Sequence, residues 1–214
     1  MDDRQIESVI KQISTRQRGI LGQEESRRTA VLVPLIRNER GEWSILFEKR
    51  ASTLRSQAGE ICFPGGHIEP SDHNEWEAAR RETSEELALD PGKIMYAGDL
   101  DILVLSSSLL IYPYVGFVHT KISELTPNPD EVEEVFAVSL QTLLGTIPDR
   151  FDIDLRFEPG EDFPYHLIAN GRNYKWRHGK LPEYFYEAEG HIIWGLTARI
   201  LMHFLQFFRK QSKK

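Results

Sequence analysis

A single cysteine, Cys62, stands in this chain of 214 residues, so no disulfide can form within it. That scarcity fits a reducing compartment. Cys62 lies in an apolar pattern before Phe63 with no activating base evident, which reads as a buried, inert thiol rather than a nucleophile. Long apolar runs are missing, and with them any expectation of a membrane span or a membrane partner. The amino terminus is acidic and mixed, without the basic-then-apolar order of a secretory signal. Positive charge is also short: 26 Lys and Arg against 33 Asp and Glu leave a formal net charge of -7. A general nucleic-acid binder needs cationic surface to displace phosphate counterions, so the balance argues against nucleic acid as a partner. A soluble, cytoplasmic protein is the expectation. No internal repeat, low-complexity tract or second compositional block divides the chain, and one domain over residues 1–214 is the simplest organisation.

What the chain does carry is concentrated where Gly65-Gly66 is followed by Arg81-Glu82-Thr83-Ser84-Glu85-Glu86. Residues three and four apart share a helix face, so Glu82, Glu85 and Glu86 project together, while Arg81 can pair with Glu77 and Glu85. Each like-charged pair at this spacing costs an isolated helix about 0.2–0.5 kcal/mol, a penalty that a bound hard cation with oxygen ligands reverses. Acidic helix faces are usually just solvated. A glycine loop beside this one points instead to a divalent ion held against a diphosphate. Diphosphate oxygens repel an attacking water, so Mg2+ or Mn2+ on carboxylates would neutralise charge and lower the pKa of that water. Glu82 and Glu86 are the first candidates for ligands, with Glu85 close behind, and Arg81 orients them.

These residues resemble the Nudix box, G-x5-E-x7-R-E-U-x-E-E-x-G-U with U aliphatic. Gly66, Arg81, Glu82, Glu85, Glu86 and Leu89 match it. The acidic position falls on Asp72, eight residues rather than seven before Arg81, and Thr83 replaces an aliphatic residue. Ala88 replaces the later glycine, which weighs against a left-handed helix cap there, and Asp90-Pro91 supplies a stop of its own. Upstream, the segment from Leu46 to Gly66 is similar to the signature of the coenzyme A pyrophosphatase branch, L-L-T-x-R-[SA]-x3-R-x3-G-x3-F-P-G-G. Leu46, Arg50, Ala51, Arg55, Gly59 and Phe63-Pro64-Gly65-Gly66 fit, Phe47 and Glu48 do not, and Gln57 stands where many members have histidine.

The resemblance implies an α/β chain of the Nudix fold: an α/β/α sandwich with a mixed central sheet, and a loop and helix over residues 66–89 that hold the metal. It also implies a homodimer. The implied reaction is metal-dependent hydrolysis of a diphosphate bond, with coenzyme A giving 3′,5′-ADP and 4′-phosphopantetheine. Arg50, Arg55, Gly65 and Gly66 would then meet the substrate, the arginines through charge-assisted hydrogen bonds. Asn128, Glu131, Val132, Val135 and Phe136 match a family segment, N-x-x-E-V-x-x-V-F, that supplies a further active-site carboxylate, so the water's proton goes to Glu85 or Glu131. Two other functions compete: hydrolysis of ADP-ribose or a dinucleotide, and nucleotide binding without cleavage.

Along the chain, Ile6, Ile10 and Ile13 predict an amphipathic helix over about 2–17, followed by a linker from Gly19 to Ser26. Ala30 to Ile36 and Trp43 to Phe47 predict a hairpin turning at Asn38 to Gly41, its second strand delivering Arg50 and Arg55. Asp72 or Asn74 would cap a helix from about Glu75 to Leu87 that packs through Trp76, Ala79, Thr83 and Leu87. Met95 to Leu105 and Leu110 to Val118 read as two strands joined across Ser106-Ser107-Ser108, and Phe163 to Tyr165 and Asn173 to Trp176 as sheet pieces. A closing helix is expected over about 191–208, ahead of a basic, frayed tail from Arg209 to Lys214.

Overall fold

A computed structural model describes residues 2–105 and 108–211. The amino-terminal helix α1 (Asp3–Thr15) starts where Asp2 accepts from the Gln5 amide at 2.8 Å while the Gln5 side chain reaches back to the Asp2 amide. Its apolar stripe, Ile6, Val9, Ile10 and Ile13, is 43% to 57% exposed.

The expected hairpin forms from β1 (Arg27–Arg37) and β2 (Trp43–Arg50), and its turn is held by Asn38, whose side chain accepts the Arg40 and Glu42 amides. The two strands pair only near the turn, from Arg37↔Trp43 to Leu35↔Ile45. Beyond that point they splay, and the segment 61–67 enters the gap. β3 (Ile61–Cys62) pairs with β2 through Glu48↔Cys62, and β4 (Gly65–His67) pairs with β1 through Ala30↔Gly66 and Val31↔Gly65. Between them the Pro64 carbonyl accepts the Leu32 amide at 2.9 Å. The glycine loop is therefore part of the sheet.

Helix α2 (Glu75–Glu86) crosses β1 and β4. The predicted strand over 95–105 is two, β5 (Ile94–Asp99) and β6 (Leu103–Leu105), both antiparallel to β7 (Leu109–Val118), which itself runs parallel to β1. Their join at Ser106-Ser107 lies outside the described residues. β8 (Val132–Ser139) covers the other edge of β2, completing a mixed eight-stranded sheet, and the short helix α3 (Leu140–Gly145) follows.

Alternation along the strands explains the layering. Leu32, Ile36 and Leu46 face one way, against Leu87 and Leu89 at the end of α2 and Val118 at the end of β7. Val33, Ile45 and Phe47 face the other way, against Ala198, Leu201, Phe204 and Leu205 of α4 (Gly195–Gln211). The same core takes in Tyr186, Ala188 and Ile193 from a second sheet, β9 (Asp149–Leu155), β10 (Gly179–Ala188) and β11 (His191–Trp194). The sheet thus lies between α2 and α4, the α/β/α arrangement expected.

Two expectations fail in the last third. Phe163–Tyr165 and Asn173–Trp176 are not strands: the region holds short 3-10 turns, and Phe163, Tyr165, Tyr174 and Trp176 pack ring on ring instead of aligning along a ladder. His191–Trp194 is a strand rather than the first turn of the closing helix. His191 stacks flat on Phe136 and the segment pairs with β10, and Gly195, at φ +64, makes the break from strand to helix. The tail beyond Gln211 lies outside the described residues.

Ala88 overturns the expectation set by its missing glycine. It adopts φ +47, and the Leu89 amide bonds the Ser84 carbonyl at 2.9 Å while the Ala88 amide bonds that of Glu85 at 3.4 Å. This is a left-handed cap built on alanine, held because Leu87 and Leu89 are both buried on either side of it. Ala88→Gly is expected to relieve the strain and stabilise the chain by about 1 kcal/mol, a Tm rise of about 2–4 °C for this size. Thermal unfolding checks it, and an unchanged or lower Tm contradicts it.

Candidate active site

Helix α2 begins at Asn74, whose side chain accepts the Glu77 amide at 2.9 Å. Asp72, the alternative cap, is thereby left to grip Arg81, with Oδ1 and Oδ2 each 3.1 Å from Nε and Nη2. From there Arg81 donates to Glu82 at 2.9 Å, to Glu85 at 3.2 Å and to the His67 carbonyl at 3.0 Å. One guanidinium so ties the loop to two of the three helix glutamates. The expected Arg81–Glu77 pair does not form. Asp72 draws Arg81 toward the loop, and Glu77 pairs with Arg80 at 2.5 Å. Thr83, in place of an aliphatic residue, is fully buried and returns its hydroxyl to the Ala79 carbonyl at 2.7 Å.

Glu86 is 6% exposed, and its Oε2 accepts the Gly65 amide at 2.9 Å. Gly65 sits at φ +148, and a Cβ there would lie 2.3 Å from the Ala30 carbonyl oxygen. At Gly66 a Cβ would fall 2.5 Å from the Glu82 carboxyl group. The glycine pair therefore allows the sheet to pass directly beneath two carboxylates. Glu85 is exposed toward solvent. The loop before β8 closes the other side: the Asn128 amide donates to the Glu86 carbonyl at 2.9 Å, and the Glu131 carbonyl accepts from Ala51 at 2.8 Å. Glu131 presents an exposed carboxylate whose charge acts on Glu86, Glu82 and Glu48.

Arg50 lines a cavity of about 170 Å3 with Gly65, Gly66, Cys62, Phe63 and Thr197. Arg55 does not: it is exposed in the loop after β2, where Gln57, at φ +54, reaches the cavity instead. Sequence reasoning passed over Glu48 as a mere departure from a pattern. It is 1% exposed beside the cluster, with Oε1 accepting from the Cys62 thiol at 3.2 Å and Oε2 without a partner. The signal was a charge within an otherwise apolar strand.

Burial raises the carboxyl pKa values of Glu86, Glu48 and Glu82. The neighbouring Glu48 charge adds to the effect on Glu86 and the Gly65 amide opposes it. Asp72 is lowered by Arg81. The Cys62 thiol is pushed far up by burial and by Glu48, so it is inert, as expected. The donor set is all oxygen, the chemistry of Mg2+ and Mn2+ rather than of softer metals. Among the described residues no three acidic, histidine or cysteine side chains already stand close enough to share an ion, and Arg81 engages Glu82 and Glu85.

Because Glu86 and Glu48 keep their protons to higher pH when folded, the native state binds more protons than the unfolded chain once pH passes the ordinary value of 4.5. Stability of the metal-free protein is therefore expected to fall as pH rises from about 5 to about 7, initially by roughly 1.4 kcal/mol per pH unit for each group. Asp72, lowered instead, acts only below that window. Thermal melts across pH test this, with Glu86→Gln flattening the profile; a wild-type Tm that climbs over the window contradicts it.

Residues 26–157 match the NUDIX domain. Over 183 residues the chain is 33% identical to the uncharacterized Nudix hydrolase NudL of Photorhabdus laumondii, covering 86% of each chain. It is 35% identical over 143 residues to the peroxisomal coenzyme A diphosphatase NUDT7 of Mus musculus, covering 67% of this chain but only 59% of the mouse protein. A MutT/nudix family protein from Enterococcus faecalis has the same fold, with a TM-score of 0.51 and 13% identity over 94% of this chain and 69% of its own. The domain match runs through the splayed strands, the glycine pair and the acidic helix together, and the chain belongs to the Nudix family of hydrolases.

Proposed function

We propose that this chain is a metal-dependent pyrophosphohydrolase that cleaves coenzyme A to 3′,5′-ADP and 4′-phosphopantetheine. The observation that carries the reading is the glycine pair passing beneath Glu82 and Glu86 at the mouth of a cavity that Arg50 lines. The pattern of Arg50, Ala51, Arg55, Gly59 and Phe63-Pro64-Gly65-Gly66 supports the substrate, as does the name of the mouse relative.

Glu82, Glu85 and Glu86 would hold Mg2+ or Mn2+. When bound, such an ion neutralises diphosphate oxygens and lowers the pKa of the attacking water. Arg81 sets the rotamers of Glu82 and Glu85, and Gly65 that of Glu86. Glu85 and Glu131, both exposed, are the candidates to accept the water's proton, with Glu85 also bonded by Arg81. Arg50, whose Nε is buried without a partner, meets an anionic oxygen of the substrate, and the absence of side chains at Gly65 and Gly66 lets the diphosphate approach the sheet. Arg55 reaches the substrate only from the exposed loop. The lone inert thiol suits a reducing, cytoplasmic setting. Gln57, at the cavity, and Glu48, bonded to the cavity-lining Cys62, both depart from the branch pattern and favour ADP-ribose or a dinucleotide as the second reading.

Incubation with coenzyme A, ADP-ribose and a dinucleotide, with Mg2+ or Mn2+ and products identified by mass, tests the proposal. Selective release of 4′-phosphopantetheine is expected, reduced roughly 10²–10³-fold in Glu86→Gln. Cleavage of the other substrates alone removes coenzyme A, and no cleavage of any removes the enzyme. Arg50→Ala is expected to raise KM for coenzyme A about tenfold with little change in kcat, and Arg55→Ala to do less. Steady-state kinetics that reverse this order contradict the placement of Arg50.

A further inference from the structure

Glu48 is a carboxylate in the wrong place for a core. Its strand buries Ile45, Leu46 and Phe47 completely, and Glu48 is buried with them. Oε1 has only a thiol donor, the weakest in the side-chain inventory, and Oε2 has none. An unpaired buried carboxylate costs several kcal/mol, and the branch pattern has a neutral threonine at this position. A residue that expensive needs a cation.

The nearest candidate within the chain does not serve. Arg50 lies two residues along the same strand, past a register shift after Lys49, and its charge favours the ionised Glu48, but no ion pair joins the two side chains. Arg50 Nε is itself buried without a partner. An unpartnered acceptor, Glu48 Oε2, and an unpartnered donor, Arg50 Nε, thus lie within electrostatic reach of one another without pairing. A divalent cation would pair with Glu48, and an anionic substrate oxygen with Arg50.

Position agrees with chemistry. Cys62, which donates to Glu48, lines the cavity together with Gly65, Gly66 and Arg50. Glu86 holds the Gly65 amide and Glu82 lies against Gly66. The helix glutamates reach the glycine pair from one side, and Glu48 comes to it from the sheet. Hard divalent cations take six or more oxygens, while Arg81 already engages two of the three that the helix offers.

We infer that Glu48 is a further carboxylate ligand of the divalent cation at Glu86, delivered by the central sheet rather than by the helix and set beside the phosphate that Arg50 binds. The inference rests on the reading of Glu86 as a metal ligand.

Mn2+ binding, read from the electron paramagnetic resonance of free Mn2+ with no substrate present, tests it in the full chain, in Glu48→Thr and in the isosteric Glu48→Gln. The expected result is a Kd at least tenfold weaker in both, a smaller rise of Tm on adding Mn2+, and a metal-free Tm that is unchanged or higher because an unpartnered buried carboxyl group has gone. A purely structural Glu48 gives the opposite: a lower metal-free Tm with the Kd intact. Glu86→Gln separates the two readings. If it loses Mn2+ while the Glu48 variants keep it, the inference about Glu48 falls alone. If neither position affects the Kd, the metal site at Glu86 falls with it. Should Glu48→Thr fail to fold, Glu48→Gln preserves the side chain's shape, and its Kd decides between the same outcomes.

Discussion

The hydrogen bond from the Gly65 amide to Glu86 joins the two halves of the site, and the rest of the arrangement depends on it. Three glutamates on one helix face repel one another, and a helix this acidic has little reason to lie over a sheet that also buries Glu48. The contact becomes available because β1 and β2 separate after a few pairs and admit the segment 61–67 between them. A backbone donor then points out of the sheet at the place where the helix ends. Arg81 repeats the connection one turn earlier, linking Asp72 and the His67 carbonyl to Glu82 and Glu85.

Much of this was legible in the sequence. Runs of β-branched and large apolar residues at Ala30 to Ile36 and Trp43 to Phe47, on either side of the turn at Asn38 to Gly41, give the hairpin, and helical spacing gives the acidic face and its buried opposite, Ala79, Thr83 and Leu87. The splay of the hairpin was not legible, since nothing local in 27–50 says that a distant segment will take over the ladder. Arg81 choosing Asp72 over Glu77 is likewise a tertiary outcome, decided by a loop that folds back. Aromatic density misled the reading of 163–176, because rings that pack on one another and rings that line a strand share a composition. Ala88 shows the same limit at a single residue: its flanking leucines are anchored in the core, and their burial outweighs the alanine's own preference.

The site also shows how cost is distributed. Glu86 and Glu48 are held in surroundings that disfavour their charge, while Asp72 and Arg81 satisfy one another. The framework is electrostatically settled and the interior carboxylates are not. The contrast means that a positive charge brought near would act most on Glu86 and Glu48, whose ionised forms their surroundings disfavour.

The splayed hairpin has a consequence for how the chain folds. Residues 27–35 close a parallel ladder with 109–117, more than eighty positions away, and their other edge is completed only by 65–67. Such long-range pairings come slowly, since loop entropy is lost before any contact is gained. The cradle is consequently no late ornament on a finished scaffold. It is built from the same pairings as the sheet, so damage to the loop reaches the ladder itself.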